Sequence, residues 1–207
     1  TPAEDLGDVV PLFAKKFALS GKVQAATLYI TALGVYEACL NGSRVGEFVL
    51  APAWTAYYKR LQYQAYDVTA LLQEENALKV LVGKGWYRSR MPGWTPSDYQ
   101  AGLQANPAAL LAQLEVTFED GSTQIITSDE SWMVSESNDG EIYDASQAEF
   151  PQTPAKVFEG PFHTLIPQEG EEVREQERIA AASVFVTPKG ETVVDFGQNL
   201  TGYVEIS

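Results

Sequence analysis

The residues best suited to chemistry gather in two stretches. Between Gly83 and Pro107 the chain carries Trp86, Tyr87, Trp94 and Tyr99 among Gly83, Gly85, Gly93, Gly102, Pro92, Pro96 and Pro107. A loop of this length without regular structure is uncommon and is often functional. Large, rigid, amphipathic rings suit the C–H face of a sugar, and a few converging polar groups take its hydroxyls. Arg88 and Arg90 offer donors, while Asp98 and Asn106 lie in the same loop. The candidate carbohydrate-binding set is Trp94, Tyr99, Asp98, Arg90 and Asn106. Trp86 directly follows an apolar run and is expected in the core, as is Trp132; the place of Trp94 between Gly93 and Thr95 leaves exposure and burial open. The second stretch holds Asn138, Asp139, Glu141 and Asp144. Calcium takes six to eight oxygens from carboxylates, amides and carbonyls. The candidate calcium set is Asp98, Asn138 and Asp139. Against it stands a plain acidic turn in which Asp139 bonds its own backbone, and the spacing is not that of an EF-hand.

Other chemistries are poorly served. Glu141 and Asp144 sit three positions apart on an extended segment, so they point to opposite faces and do not pair for hydrolysis. There is no G-x-S-x-G elbow and no H-E-x-x-H. The single histidine, His163, lies near Pro161 and reads as a surface residue; the single cysteine, Cys39, lies in an apolar run and reads as a small hydrophobe. A formal net charge of −14 argues against nucleic acid and anionic membranes, which need a basic footprint. No apolar run approaches the roughly 20 residues of a membrane span. Thr1 to Val10 shows no signal peptide, and with one cysteine this points towards the cytoplasm. The expectation is a chain without catalytic residues of its own.

The elements that must position these residues are strands. Short runs rich in Val, Ile, Tyr and Phe recur between turn signals, the pattern of a sandwich. Strands are expected at 12–19, 26–32, 36–40, 44–45, 61–66, 77–82, 108–118, 123–127, 132–134, 183–186, 192–196 and 203–207. Asn41-Gly42 is a hairpin signal, because both residues tolerate positive φ in a type I′ turn. Asp120-Gly121 marks a second hairpin. Asp67 is placed to cap a short helical turn ending at Leu72, Glu74-Glu75-Asn76 reads as a turn, and the run Ala77 to Val82 reads as buried on both faces. With 45% hydrophobic residues in 207, a sizeable core is available. The expected division is a sandwich over 1–168, a charged linker or edge over 169–182, and the first strands of a second β-domain over 183–207. That last part stops inside a strand, which reads as a piece of a longer protein.

Several segments, taken in order, resemble one family. LYITALGVYEACLNGSRVGE, LAPAWTAYYKRLQYQAYDVTALL, NALKVLVGKGWY, LLAQLEVTFEDGSTQIITSDESW and GEIYDA resemble the N-terminal β-domain of bacterial α-L-rhamnosidases of the glycoside hydrolase family 78 type. VVDFGQNLTGYVEIS is similar to the start of the β-domain that follows it. The resemblance spans about residues 9–207. It implies an all-β, galactose-binding-like jelly-roll sandwich acting as a non-catalytic, carbohydrate-binding accessory to an enzyme that hydrolyses terminal α-L-rhamnosides. The alternative is a purely structural module that braces the catalytic α/α-barrel or an oligomer interface. The family's inverting chemistry uses paired carboxylates in that barrel, so the implied partners are rhamnose-containing glycosides and a catalytic domain of the same chain. Some relatives bind rhamnose together with calcium, the one cofactor implied. Two features depart from the family: Ser146 stands where it often has Arg after G-E-x-Y-D-A, and the loop from Met91 to Asn106 differs. Asp195, Gln198 and Asn199 are motif residues of the following domain and read here as a turn held by side-chain hydrogen bonds.

Overall fold

A computed structural model describes residues 2, 10–89, 107–136 and 151–205. The chain divides into two compact units, Thr1–Val173 and Arg174–Ser207. The larger is a sandwich of two sheets. One has the order β10 (Thr153–Pro154), β9 (Met133–Glu136), β1 (Pro11–Ala18), β6 (Glu75–Gly83), β3 (Val35–Leu40), β4 (Ser43–Arg44). The other runs β11 (Leu165–Pro167), β5 (Leu61–Asp67), β2 (Val23–Leu33), β7 (Ala109–Phe118), β8 (Thr123–Thr127). Neighbours are antiparallel except β11 and β5, which pair in parallel.

Alternation builds the core. Leu28 and Ile30 of β2 and Leu114 and Val116 of β7 meet Ala38 and Leu40 of β3 and Leu78, Val80 and Val82 of β6 in one buried cluster. Each Leu, Ile or Val among them contributes about 1.5–3 kcal/mol when fully removed from water. Trp132 joins them with 2% of its surface exposed, as its sequence context predicts, and its indole N–H donates to the Thr127 carbonyl at 2.9 Å. The Asn41-Gly42 turn closes the hairpin with φ of 53° and 83°. Asn41 does more than turn the chain. Its Nδ2 donates to Leu71 O and Asn76 Oδ1, and its Oδ1 accepts from Ala77 N–H, tying the hairpin to β6. The Asp120-Gly121 hairpin and the Asp67 turn also form as expected. Asp67 Oδ1 accepts from Thr69 N–H at 2.9 Å ahead of a one-turn 3-10 helix, Thr69–Leu71.

Three expectations are corrected. Glu75 and Asn76 open β6 instead of forming a turn, because the Asn76 side chain is buried and satisfied by Asn41 and Gln73. The run Ala77 to Val82 is buried on one face only: Leu78, Val80 and Val82 point into the core while Lys79 is exposed. Tyr203 to Glu205 forms no strand.

A polar seam crosses the core beside β5. The Tyr36 hydroxyl, on the six-stranded sheet, donates to Gln64 Oε1 on the other at 2.7 Å. Burial pushes the Tyr36 phenol far above its ordinary value, and the neighbouring Tyr66 adds to this, so it stays a neutral donor. Gln64 Nε2 then donates to Gln168 Oε1 at 2.7 Å, and Glu169 N–H to Gln62 Oε1 at 2.8 Å. The smaller unit is a two-stranded ribbon, β12 (Ser183–Val186) paired with β13 (Thr192–Asp195). Val184, Phe185 and Val186 there are about half to two-thirds exposed. The turn after β13 is held by Asp195, whose Oδ1 accepts from Gly197 N–H at 2.8 Å, as the sequence implies.

Candidate functional site

Two loops meet at the end of the sandwich where β3 begins and β6 ends. The first follows β4. Leu50 and Ala53 hold φ of 65° and 75°, a left-handed conformation that costs non-glycine residues about 1 kcal/mol or more each. Hydrogen bonds hold the segment in place: Tyr36 N–H donates to Ala51 O at 2.8 Å, Ala53 N–H to Leu50 O at 3.0 Å, and the Tyr57 hydroxyl to Ala53 O at 3.2 Å. The outcome is that Trp54 stands 54% exposed.

The second loop leaves β6 through Gly85, at φ +50°. A Cβ at Gly85 would lie 2.5 Å from Val35 Cγ1, so only glycine lets the chain turn this close to β3. A single helical turn, α1 (Gly85–Arg88), begins there. It delivers Trp86 against Trp54, with ring centroids 6.3 Å apart and planes 8° from parallel. Tyr87 from the same turn is buried and meets Tyr57 edge-on at 5.1 Å. Leu33, Leu61 and Ala109 complete a second apolar cluster with these tyrosines, and Trp86, Phe158 and Leu165 pack against it. Tyr58 lies exposed in the Trp54 loop, with the Lys59 ammonium 5.4 Å from its ring centre. Among the described residues, the buried Nε of Arg88 has no hydrogen-bond partner, and such orphan donors are rare. The arrangement can take the apolar face of a flat ligand on an indole already fixed by a second indole beneath it, so little is lost to ordering on binding.

Residues 21–177 match the α-L-rhamnosidase N-terminal domain. The chain belongs to this family. An α-L-rhamnosidase of Streptomyces avermitilis is 37% identical over 204 residues, covering 89% of this chain and 19% of the relative. The native α-L-rhamnosidase of Aspergillus terreus superposes with a TM-score of 0.82 at 38% identity, covering 96% of this chain and 25% of that one. The Streptomyces avermitilis enzyme, solved in complex with L-rhamnose, superposes with a TM-score of 0.76 at 36% identity, over 93% of this chain and 20% of that one. The chain therefore spans about a fifth to a quarter of the length of these rhamnosidases.

For this rhamnosidase N-terminal domain, the residues chosen from sequence fall outside the described structure. Arg90, Trp94, Asp98, Tyr99 and Asn106, and likewise Asn138, Asp139, Glu141 and Asp144, all lie outside the described residues. Among the described residues, no three His, Cys, Asp or Glu side chains converge to hold a metal ion. His163 is exposed, as expected. Trp86 is the correction: it is half-buried instead of core, because the turn at Gly85 carries it across to Trp54 and not down between the sheets. Trp54 is absent from the candidate residues that the sequence singles out. Its one local signal is an indole in a stretch of turn-forming and polar residues, P-A-W-T-A-Y-Y-K-R, with no apolar alternation to bury it.

Proposed function

We propose that this chain is a non-catalytic carbohydrate-binding module of an α-L-rhamnosidase, and that its Trp54–Trp86 stack receives the terminal L-rhamnose of a glycoside. The single observation carrying this is an exposed indole held parallel to a second, half-buried one at the rim of a sandwich. Rhamnose is a 6-deoxy sugar, so a methyl group joins its ring hydrogens in an apolar face suited to such a platform. The relative solved with L-rhamnose makes that sugar the first ligand to test. Hydrolysis of the α-L-rhamnoside is assigned to a catalytic barrel elsewhere in a protein of rhamnosidase length, with no catalytic role for any residue of this chain. The test is calorimetric titration of the chain with L-rhamnose, once with calcium and once after chelation. Saturable heat is expected. Heat only with calcium makes the ion part of sugar binding, with Asp98, Asn138 and Asp139 as the residues to substitute next, and no heat in either condition removes the sugar-binding reading.

A second reading, a structural brace for the barrel or for an oligomer, draws on the smaller unit. Val184, Val186, Tyr203 and Val204 are all more than 60% exposed there, an apolar surface suited to a protein neighbour. That reading expects Trp54→Ala to leave the sugar affinity of the whole enzyme unchanged.

A further inference from the structure

The turn at Asn41-Gly42 is the one Asn-Gly step in the sequence. Such a step is chemically reactive, because glycine has no side chain to screen its backbone nitrogen from the amide carbon that precedes it. Gly42 is exposed, and even a Cβ there would meet nothing within 4 Å. Water and base therefore reach this nitrogen.

The native fold holds the Asn41 amide away from it. Nδ2 donates to Leu71 O and to Asn76 Oδ1, each at 2.8 Å, and Oδ1 accepts from Ala77 N–H at 2.9 Å. The Asn41 backbone N–H also donates to Ala77 O at 2.9 Å. Asn76 is itself buried, and its Oδ1 accepts from Gln73 N–H at 2.9 Å, so this acceptor is fixed in place. Attack by Gly42 nitrogen requires the amide to swing off these partners, with Nδ2 leaving. Three side-chain hydrogen bonds of ordinary net strength keep the opened turn to on the order of a hundredth of the population.

We propose that Asn41 is a deamidation site gated by folding: it stays an amide while the hairpin is closed and is converted once the hairpin opens. Gly42 nitrogen bonds to Asn41 Cγ, the Cγ–Nδ2 bond breaks, and the glycine proton leaves with Nδ2 as ammonia. One water then opens the cyclic imide at either carbonyl, giving aspartate or isoaspartate at position 41. Neither product restores the turn. A carboxylate has no hydrogen to offer Leu71 O or Asn76 Oδ1. Isoaspartate adds a main-chain carbon to a two-residue turn whose length sets the pairing of Leu40 with Ser43. Time spent unfolded is thereby written into the chain, and unfolding turns irreversible.

The test holds the chain at mildly alkaline pH with and without unfolding guanidinium, and follows position 41 by peptide mass mapping. Conversion in the folded chain is expected to be on the order of 100-fold slower than in the unfolded one. Equal rates in the two states overturn the gating. Gly42→Ala, compared in guanidinium where its fold is immaterial, is expected to convert severalfold more slowly, and a rate equal to the parent's overturns the route through Gly42 nitrogen. Samples returned to buffer are then scored for refolding by tryptophan fluorescence. The refolded fraction is expected to fall in step with conversion at position 41. Full recovery of converted chains, or an Asn41→Asp chain with the parent's guanidinium midpoint, overturns the irreversibility.

Discussion

Replacing Trp54 by Ala separates a sugar platform from ornament on a loop. An aromatic side chain of this size offers about 150–250 Å². With 54% of its surface in water, Trp54 presents roughly 100 Å², and a pyranose on its outer face would cover roughly half of that. At about 25 cal/mol per Å², the lost contact is worth about 1.2 kcal/mol, close to a tenfold rise in Kd. The stack on Trp86 is also lost, an aromatic pair worth about 0.5–1.5 kcal/mol, so the melting temperature should fall by about 1–6 °C. Trp54→Phe keeps a ring over Trp86 and should retain most of the affinity. Calorimetry with L-rhamnose measures the first effect, and differential scanning calorimetry the second. A Trp54→Ala chain that binds rhamnose within twofold of the parent, with its fold intact, would refute the reasoning.

Other expectations concern the scaffold. Trp132→Ala empties the largest fully buried position and breaks the bond to Thr127, so a loss of about 3–5 kcal/mol is expected in urea unfolding. Gly46→Ala and Gly42→Ala both place Ala at positive φ, +70° and +83°, but only at Gly46 would the new Cβ lie 2.4 Å from Tyr66 Cε1. Gly42→Ala should therefore cost about 1 kcal/mol and Gly46→Ala about 1–3 kcal/mol more, measured by guanidinium midpoints. Hydrogen bonds from Thr69, Ser122 and Ser131 hold the carboxyls of Asp67, Asp120 and Asp129 below their ordinary 3.8. Because these values are depressed in the folded chain, their stabilising effect is present above about pH 4 and is lost as pH falls through the folded values. Stability should hold level from pH 7 to about 4.5 and then decline, and a chain with all three changed to Asn should decline less steeply.

Local chemistry made much of this fold legible. Asn41 and Gly42 both take positive φ and Gly121 does so after Asp120, so the hairpins could be read from two residues apiece. Alternation placed β2, β7 and β8 to within a few residues of their observed ends. What escaped was decided by partners distant in sequence. Asn76 looks like a turn residue and is a strand residue, because Asn41 supplies its hydrogen bonds across the sheet. Trp54 and Trp86 belong to different loops, and no local pattern predicts their contact. It follows from the pairing of Val35 with Gly83, which brings the ends of β3 and β6 together, and from the close approach that Gly85 permits. The carbohydrate and calcium residues chosen from sequence lie outside the described residues.

The short parallel strand β11 has a consequence for how this domain is made. Leu165 pairs with Leu61, and Gln168 with Gln64, across more than one hundred intervening residues. Loop closure over that distance is entropically slow to initiate, and contacts of this separation come late in folding. While the chain emerges from a ribosome, β5 must wait as an open sheet edge, with unpaired backbone groups that invite another chain. Only when residues 165–167 can reach 61–63 is the first half of that edge covered, so synthesis halted shortly before residue 165 should leave a stickier intermediate than synthesis halted well after 169.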